Sequence, residues 1–313
     1  MITILCTTPV DHLEGIKDQL KKSGKLIYKP NINEKQIKKL LDKNKKIDFI
    51  FCNPNRQGYI LNEKILKNSS IKLINTASTG LNHLNLDDCK KLNIKILSLT
   101  KDFNLIKKLP STSELAFGLM IALLRNIPKS FDDVKKKNWN YLPFMGEELS
   151  SLRIGIIGLG RLGKIMAKYA YSFGMKVFYY DPNVNTKKYL KVNLIKLFKF
   201  SDVISIHTHV NSNTKYMIDK KLLKYSKKKL VIINTSRGEI VKEKDIVWSL
   251  KHKKILGYGA DVIENEFDNI KKSVLIKNLN KLNILITPHI GGMTYQGQLR
   301  AWKFAVNKFK FIK

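Results

Sequence analysis

The chain has 313 residues, 43% of them apolar, with 58 lysines and arginines against 25 aspartates and glutamates, a formal net charge of +33. That length and apolar share can fill two domain cores, while three scattered cysteines, Cys6, Cys52 and Cys89, exclude a disulfide framework or a cysteine metal knot and suit a reducing compartment. Residues 1–5 lack the basic start of a signal peptide and the longest apolar stretch, 115–124, is too short for a membrane span, so a soluble cytoplasmic protein is expected.

In chain order, residues 2–6 read as a strand, 10–22 as a helix, and 47–52, 72–76 and 94–98 as further strands. Such alternation argues for a parallel sheet with helices on its faces. Pro110, just before Ser111, Thr112, Ser113 and Glu114, opens a long helix. Its buried stripe is Leu115, Leu119, Ala122 and Leu123, and Pro128 ends it. A second series starts at Leu152, with six strands at 154–157, 177–180, 203–207, 230–234, 255–260 and 284–287, enough for a complete doubly wound sheet. Residues after His289 form one amphipathic helix, too little for a domain, which most simply packs back on the first lobe.

The strand at 154–157 runs directly into Gly158, Gly160 and Gly163 at G-x-G-x-x-G spacing, and then into a helix. The first glycine permits a tight turn, the second lets backbone approach a pyrophosphate, and the third lets helix and strand pack closely. The next strand ends in Asp181, where a carboxylate can hold ribose hydroxyls. This context predicts an NAD site. Three later strands end in polar loops: Asn234 to Gly238, Asp261 to Glu266, and Thr287 to Gly292. Ligands bind at the C-terminal edges of parallel strands. An arginine, a carboxylate and a histidine there are the parts needed to oxidise a hydroxy acid. The arginine fork pairs a carboxylate, the histidine moves the hydroxyl proton, and the acid orients that histidine.

The positive charge admits two readings. One is attraction to nucleic acid or an anionic membrane. The other is compositional bias, because the basic residues are nearly all lysines scattered along the chain and arginine occurs only six times. The scatter favours bias, so neither a specific nucleic-acid partner nor a membrane is expected.

Taken in order, the Ala77-to-Asn82 loop, Ser113-Glu114-Leu115-Ala116, the glycine loop, Asn-Thr-Ser-Arg-Gly, Asp-Val-x-x-x-Glu and Thr-Pro-His-Ile-Gly-Gly resemble the D-isomer-specific 2-hydroxyacid dehydrogenase family over nearly the whole chain. The resemblance implies two doubly wound parallel-sheet α/β domains. One is a flavodoxin-like substrate domain over 1–105 plus 290–313, and the other a Rossmann NAD domain over 106–289. It implies that Arg237 binds the substrate carboxylate, His289 is the acid/base and Glu266 its partner, with Glu264 standing two residues too early for that role. Arg161 and Leu162 would meet the pyrophosphate, Asp181 the adenosine ribose and Asp261 the nicotinamide amide. Thr208, Thr235, Ser236, Gly291 and Gly292 would complete the NAD site. Thr79 and Gly80 would offer amides to a small anionic 2-hydroxy or 2-oxo acid. The 138–144 segment is used by the family as a dimer arm, which implies a homodimer.

Three departures stand out. Phe267 replaces a usual proline after Glu266, so that loop is expected to be less rigid. His209 replaces a common proline and forms an H-x-H pair with His207, but without a third ligand no metal is expected. The chain also stops soon after its terminal helix, so the family's extra regulatory domains are expected to be absent. Arg56 lies in the loop that supplies phosphate-binding arginines in phosphoglycerate dehydrogenases, which makes 3-phosphoglycerate the first expected substrate, ahead of glyoxylate or hydroxypyruvate. A rival reading is a non-enzymatic NAD sensor, since corepressors resembling this family keep the same motifs.

Overall fold

The computed structural model describes residues 1–54, 57–266 and 270–311. They divide into two units, Met1–Leu109 with Met293–Lys313, and Pro110–Gly292. The first unit runs β1 (Thr3–Cys6), α1 (Ile16–Ser23), β2 (Lys25–Tyr28), α2 (Glu34–Lys43) and β3 (Phe49–Cys52). It continues through α3 (Glu63–Leu66), β4 (Leu73–Thr76), α4 (Leu86–Lys91), β5 (Lys95–Leu97) and α5 (Phe103–Ile106). The second unit opens with α6 (Ser111–Leu124) and α7 (Ile127–Lys135), then β6 (Arg153–Ile157), α8 (Arg161–Ser172), β7 (Lys176–Tyr180) and β8 (Leu190–Lys191). After these come α9 (Leu194–Phe200), β9 (Val203–Ile206), α10 (Lys220–Leu223), β10 (Val231–Asn234), α11 (Glu243–Lys251), β11 (Gly257–Ala260) and β12 (Ile284–Ile286). The last helix, α12 (Tyr295–Asn307), returns to the first unit.

Both sheets are parallel, with strand orders β2-β1-β3-β4-β5 and β12-β11-β10-β9-β6-β7-β8. The first is the flavodoxin order, and the second is the Rossmann order extended by one strand. Central strands such as Phe49-Ile50-Phe51-Cys52 are apolar throughout because helices cover both sheet faces. Alternate side chains feed different cores. Ile4, Phe49, Phe51 and Leu73 pack with Trp302, Ala305 and Val306 of α12, while Leu5, Ile50 and Ile74 pack with Ile37, Leu41 and Cys89 on the opposite face. Asn75 Nδ2 donates to Ala305 O at 2.8 Å, tying α12 to β4. In the second unit Ile204, Ile206 and Ile232 face one core, while Val203, Val231 and Ile233 face α6 and α8 in the other.

Several local expectations are corrected. The helix expected over 10–22 forms only from Ile16, because Gly15 takes a left-handed φ of 74°. Pro128 does not end the long helix. That helix stops at Leu124, Asn126 turns the chain with φ 51°, and Pro128 sits in the first turn of α7, where its missing N–H costs nothing. The expected stripe is also too narrow. Leu119 and Leu123 are buried and Leu115 and Ala122 half-buried, but Ala116, Phe117, Met120 and Leu124 are buried as well, because α6 is wedged among α8, β10 and β11. Among the described residues no helix is long and apolar enough to cross a membrane.

Candidate active site

The glycine loop owes its shape to three different demands. Gly158 has φ 86°, and a Cβ there would meet His207 O at 2.5 Å. Gly163 lies in the first turn of α8, where a Cβ would stand 2.0 Å from Gly158 O. Gly160 is the reverse case: a Cβ would meet nothing within 4 Å, and as N-cap of α8 it makes no side-chain cap bond. Open space at a helix N-terminus fits a pyrophosphate. Arg161 and Leu162 are half-buried beside it, and Leu162 O accepts from Ser113 Oγ at 2.9 Å.

Asp181 is buried at the end of β7. Its Oδ2 accepts from Leu159 N at 2.7 Å, and its Oδ1 from Asn183 N and Val184 N at 2.8 and 3.0 Å. The carboxylate therefore anchors the glycine loop as well as its own turn, and one of about four lone-pair sites remains for a ribose hydroxyl. Thr235 Oγ1 is buried without a hydrogen-bond partner at the end of β10, a polar atom that a bound ligand would satisfy. These observations fit a nicotinamide dinucleotide. Thr208 is half-buried just past β9. Its neighbour His207 pairs Nε2 with Ser205 Oγ at 2.8 Å, and burial presses the ring down to about 3. His209 is exposed, and among the described residues no three metal-ligating side chains come together.

Arg237 follows β10 on a loop closed by its own asparagine: Asn234 Nδ2 donates to Arg237 O at 2.9 Å and Asn234 Oδ1 accepts from Ser236 N at 3.0 Å. Ser236 Oγ donates to Ile206 O at 2.8 Å, fixing the loop to β9. One guanidinium nitrogen of the half-buried Arg237 donates to Ser236 O at 2.7 Å, leaving most of its five N–H donors unspent. Gly238 is required by contact. A Cβ there would lie 2.1 Å from Ile263 C and 2.2 Å from Glu264 N, so only glycine lets the loop after β11 lie against the arginine loop.

That close packing serves the third strand end. Asp261 is buried and accepts from Thr287 Oγ1 at 2.5 Å, Ile290 N at 2.8 Å and Gly291 N at 2.6 Å, while its carbonyl accepts from His289 N at 2.9 Å. Burial raises the Asp261 carboxyl above its ordinary range, and these hydrogen bonds oppose the rise. His289 sits in the left-handed region at φ 54°, with its side chain exposed. Its Nδ1 lies 2.9 Å from both oxygens of Glu266. Between two carboxylate oxygens Nδ1 carries the proton, which leaves Nε2 for a substrate. Glu264 turns elsewhere and accepts from the Tyr216 hydroxyl. Gly291 is packed against the Asp261 carboxylate and Thr112, whereas Gly292 is open.

In the first unit the loop after β4 carries Thr79 and Gly80. Gly80 N donates to Ser78 Oγ at 3.1 Å, and Thr79 O accepts from Thr100 Oγ1 at 3.3 Å. Arg56 lies outside the described residues, as does Phe267. Sequence reading missed the residues that brace this framework, such as Thr112 Oγ1, which donates to Gly291 O at 3.3 Å. Their signal was present only as hydroxyls at the start of α6, which read as helix caps.

Comparison with known proteins agrees with this geometry. Residues 117–291 match the NAD binding domain of the D-isomer specific 2-hydroxyacid dehydrogenases, and residues 4–104 match their catalytic domain. A hydroxypyruvate reductase of Thermotoga maritima is 33% identical over 235 residues, 74% of each chain. A D-3-phosphoglycerate dehydrogenase of Methanocaldococcus jannaschii is 28% identical over all of this chain, which spans 57% of that enzyme. The structure of a D-lactate dehydrogenase from Aquifex aeolicus, complexed with NAD and lactic acid, superposes with a TM-score of 0.79 at 28% identity, covering 98% of this chain and 94% of that one. With both halves matched and a sheet order to suit each, the chain belongs to the D-isomer specific 2-hydroxyacid dehydrogenases, oxidoreductases that act on a CH–OH donor with a nicotinamide dinucleotide.

Proposed function

We propose that the chain is an NAD-preferring dehydrogenase of D-3-phosphoglycerate, with reduction of hydroxypyruvate or glyoxylate as the alternative. The observation that carries the chemistry is the His289–Glu266 pair, with Nδ1 held 2.9 Å from both carboxylate oxygens. Glu266 fixes the ring and its proton, so Nε2 takes the hydroxyl proton in oxidation and returns it in reduction. Arg237 holds the substrate carboxylate with the N–H donors that Ser236 leaves unspent. Asp261 holds the His289 loop, and its remaining acceptor site suits the nicotinamide amide. The bound nicotinamide supplies or accepts the hydride.

Preference for NAD rests on Asp181, whose carboxylate would repel a 2′-phosphate. Of the lysines nearby, Lys188 lies 5.6 Å from the Tyr189 ring centroid and Lys191 Nζ donates to Asn185 Oδ1 at 2.6 Å, which leaves the exposed Lys187 as the one that could rescue a phosphate. The phosphoglycerate reading draws on Arg56 and on the likeness of this chain to 57% of the M. jannaschii enzyme, whereas the alternative draws on the more similar T. maritima reductase. A homodimer is part of the proposal, supported by an apolar surface around α7.

The deciding experiment follows NADH and NADPH absorbance across a panel of 2-hydroxy and 2-oxo acids, for the native chain and for His289→Asn. Asparagine tolerates the left-handed backbone at 289. It should cut turnover by roughly two to four orders of magnitude while NADH affinity stays unchanged. Native turnover in that variant removes His289 from the reaction, and equal efficiency with NADPH removes the preference.

A further inference from the structure

The loop that brings Glu266 to His289 is held from outside the motif that contains it. Its Ile263–Glu264 peptide lies against Gly238 on one side, where a Cβ would stand 2.2 Å from Glu264 N. On the other side stands Glu243, the first residue of α11, only 4% exposed. Its Oε1 accepts from Glu264 N at 2.6 Å, and its Oε2 lies 3.5 Å from Ser273 Oγ. The Glu264 side chain is caught separately by the Tyr216 hydroxyl. Asn265 then turns the chain with φ 54°, a left-handed conformation asparagine accepts readily, and Glu266 follows. His289 is referenced to the same loop at its other end, through Asp261 O.

We propose that Glu243 is a positioning residue for the proton-transfer pair: its buried carboxyl grips the Glu264 amide, and so sets where Glu266 meets the His289 ring. Glu243 is far from His289 in sequence and belongs to no strand-end motif. Yet a carboxyl taken out of water at a helix start needs a reason, and the Glu264 amide is its shortest hydrogen bond. Burial pushes this carboxyl up to about 7, with Glu264 and Glu239 adding to the rise. Glutamine is therefore a close mimic of its protonated form and keeps the accepting oxygen. The inference rests on the His289–Glu266 reading of the site.

The test uses the full chain and the 2-oxo acid that gives the fastest NADH oxidation. Glu243→Ala should lower kcat roughly ten- to hundredfold, as a small misplacement of an acid/base pair does, with NADH affinity and KM unchanged. Glu243→Gln should restore most of kcat. In a Glu266→Gln background the alanine change should cost no further kcat, because there is no longer a carboxylate to place. Should the alanine variant fail to fold, Glu243→Met, of similar length and without the acceptor, replaces it. Native kcat in the Ala or Met variant overturns the inference, and so does an equal loss in the Glu266→Gln background, which would mark a purely structural role. Native kcat in Glu266→Gln alone overturns the site reading and the inference together.

Discussion

Asp181 and Asp261 show how one carboxylate serves both loop and ligand. Each accepts three hydrogen bonds, all from the backbone for Asp181 and two from the backbone and one from Thr287 for Asp261, and so shapes the loop before any ligand arrives. Arg237 works differently, spending one donor on Ser236 O and keeping its planar fork. Lysine in its place keeps the charge but not the two parallel bonds. Arg237→Lys should therefore raise the KM for a 2-oxo acid by roughly ten- to hundredfold, the worth of a charge-assisted contact of about 1.5–3 kcal/mol, without altering NADH affinity. An unchanged KM in steady-state assays would mean that Arg237 does not clamp the carboxylate.

At the scale of elements, α8 and α7 present opposite surfaces. Met166, Ala167 and Ala170 bury one face of α8, while Gly163 lets its first turn close on β6. In α7, Ile127, Phe131 and Val134 recur at i, i+4 and i+7 and are 49%, 59% and 47% exposed. Trp139, Tyr141, Leu142 and Met145 extend this apolar surface along the following segment, all of them exposed. Apolar residues at helical spacing on an open face need a partner. Sedimentation of the native chain at micromolar concentration should give a dimer, and Phe131→Asp with Val134→Asp should give a monomer that still binds NADH. A native monomer, or a dimer that survives both changes, removes α7 from the interface.

Over the whole molecule, one described histidine in each unit is shifted by desolvation. Burial presses His83 in the first unit down to about 4 and His207 in the second down to about 3, against an ordinary 6.5. Each stays neutral when folded but takes a proton when unfolded, so its share of stability is complete above 6.5 and is lost as pH falls toward the folded value. The slope is about 1.4 kcal/mol per pH unit for each proton. Glu243 acts in the opposite sense. Raised from 4.5 to about 7, it contributes stability below 4.5 that is lost as pH rises through 7, so it offsets His207 across that window. Among the described residues of the first unit no carboxyl is raised in this way, and Asp11, hydrogen-bonded to Lys17, is lowered. Amide exchange at pH 7 and pH 5 should therefore show residues 1–109 losing protection faster on acidification than residues 110–292. Equal or reversed losses would mean that these three groups do not govern the acid response.

The parallel α/β class was legible from apolar runs alone, because strands covered on both faces have no polar side to alternate. The glycine loop was legible too, since three glycines after a strand and before a helix answer to local geometry. Edge strands were not. Lys25 to Tyr28 of β2 and the two exposed residues of β8 carry mixed polarity, and only pairing with β1 and β7 makes them strands. The break between α6 and α7 was misread because proline is compatible with a helix start as well as a stop. The family resemblance singled out Glu266 over Glu264, but the chain folding back decided what each touches: His289 is 23 residues from Glu266, and Tyr216 is 48 from Glu264. Glu243 had no signal at all, since nothing at the start of an ordinary amphipathic helix tells that its carboxyl will meet an amide 21 residues away. Periodicity and turn chemistry act over a few residues and can be read along the chain, whereas a hydrogen bond between distant loops exists only once the sheet has brought its strand ends together.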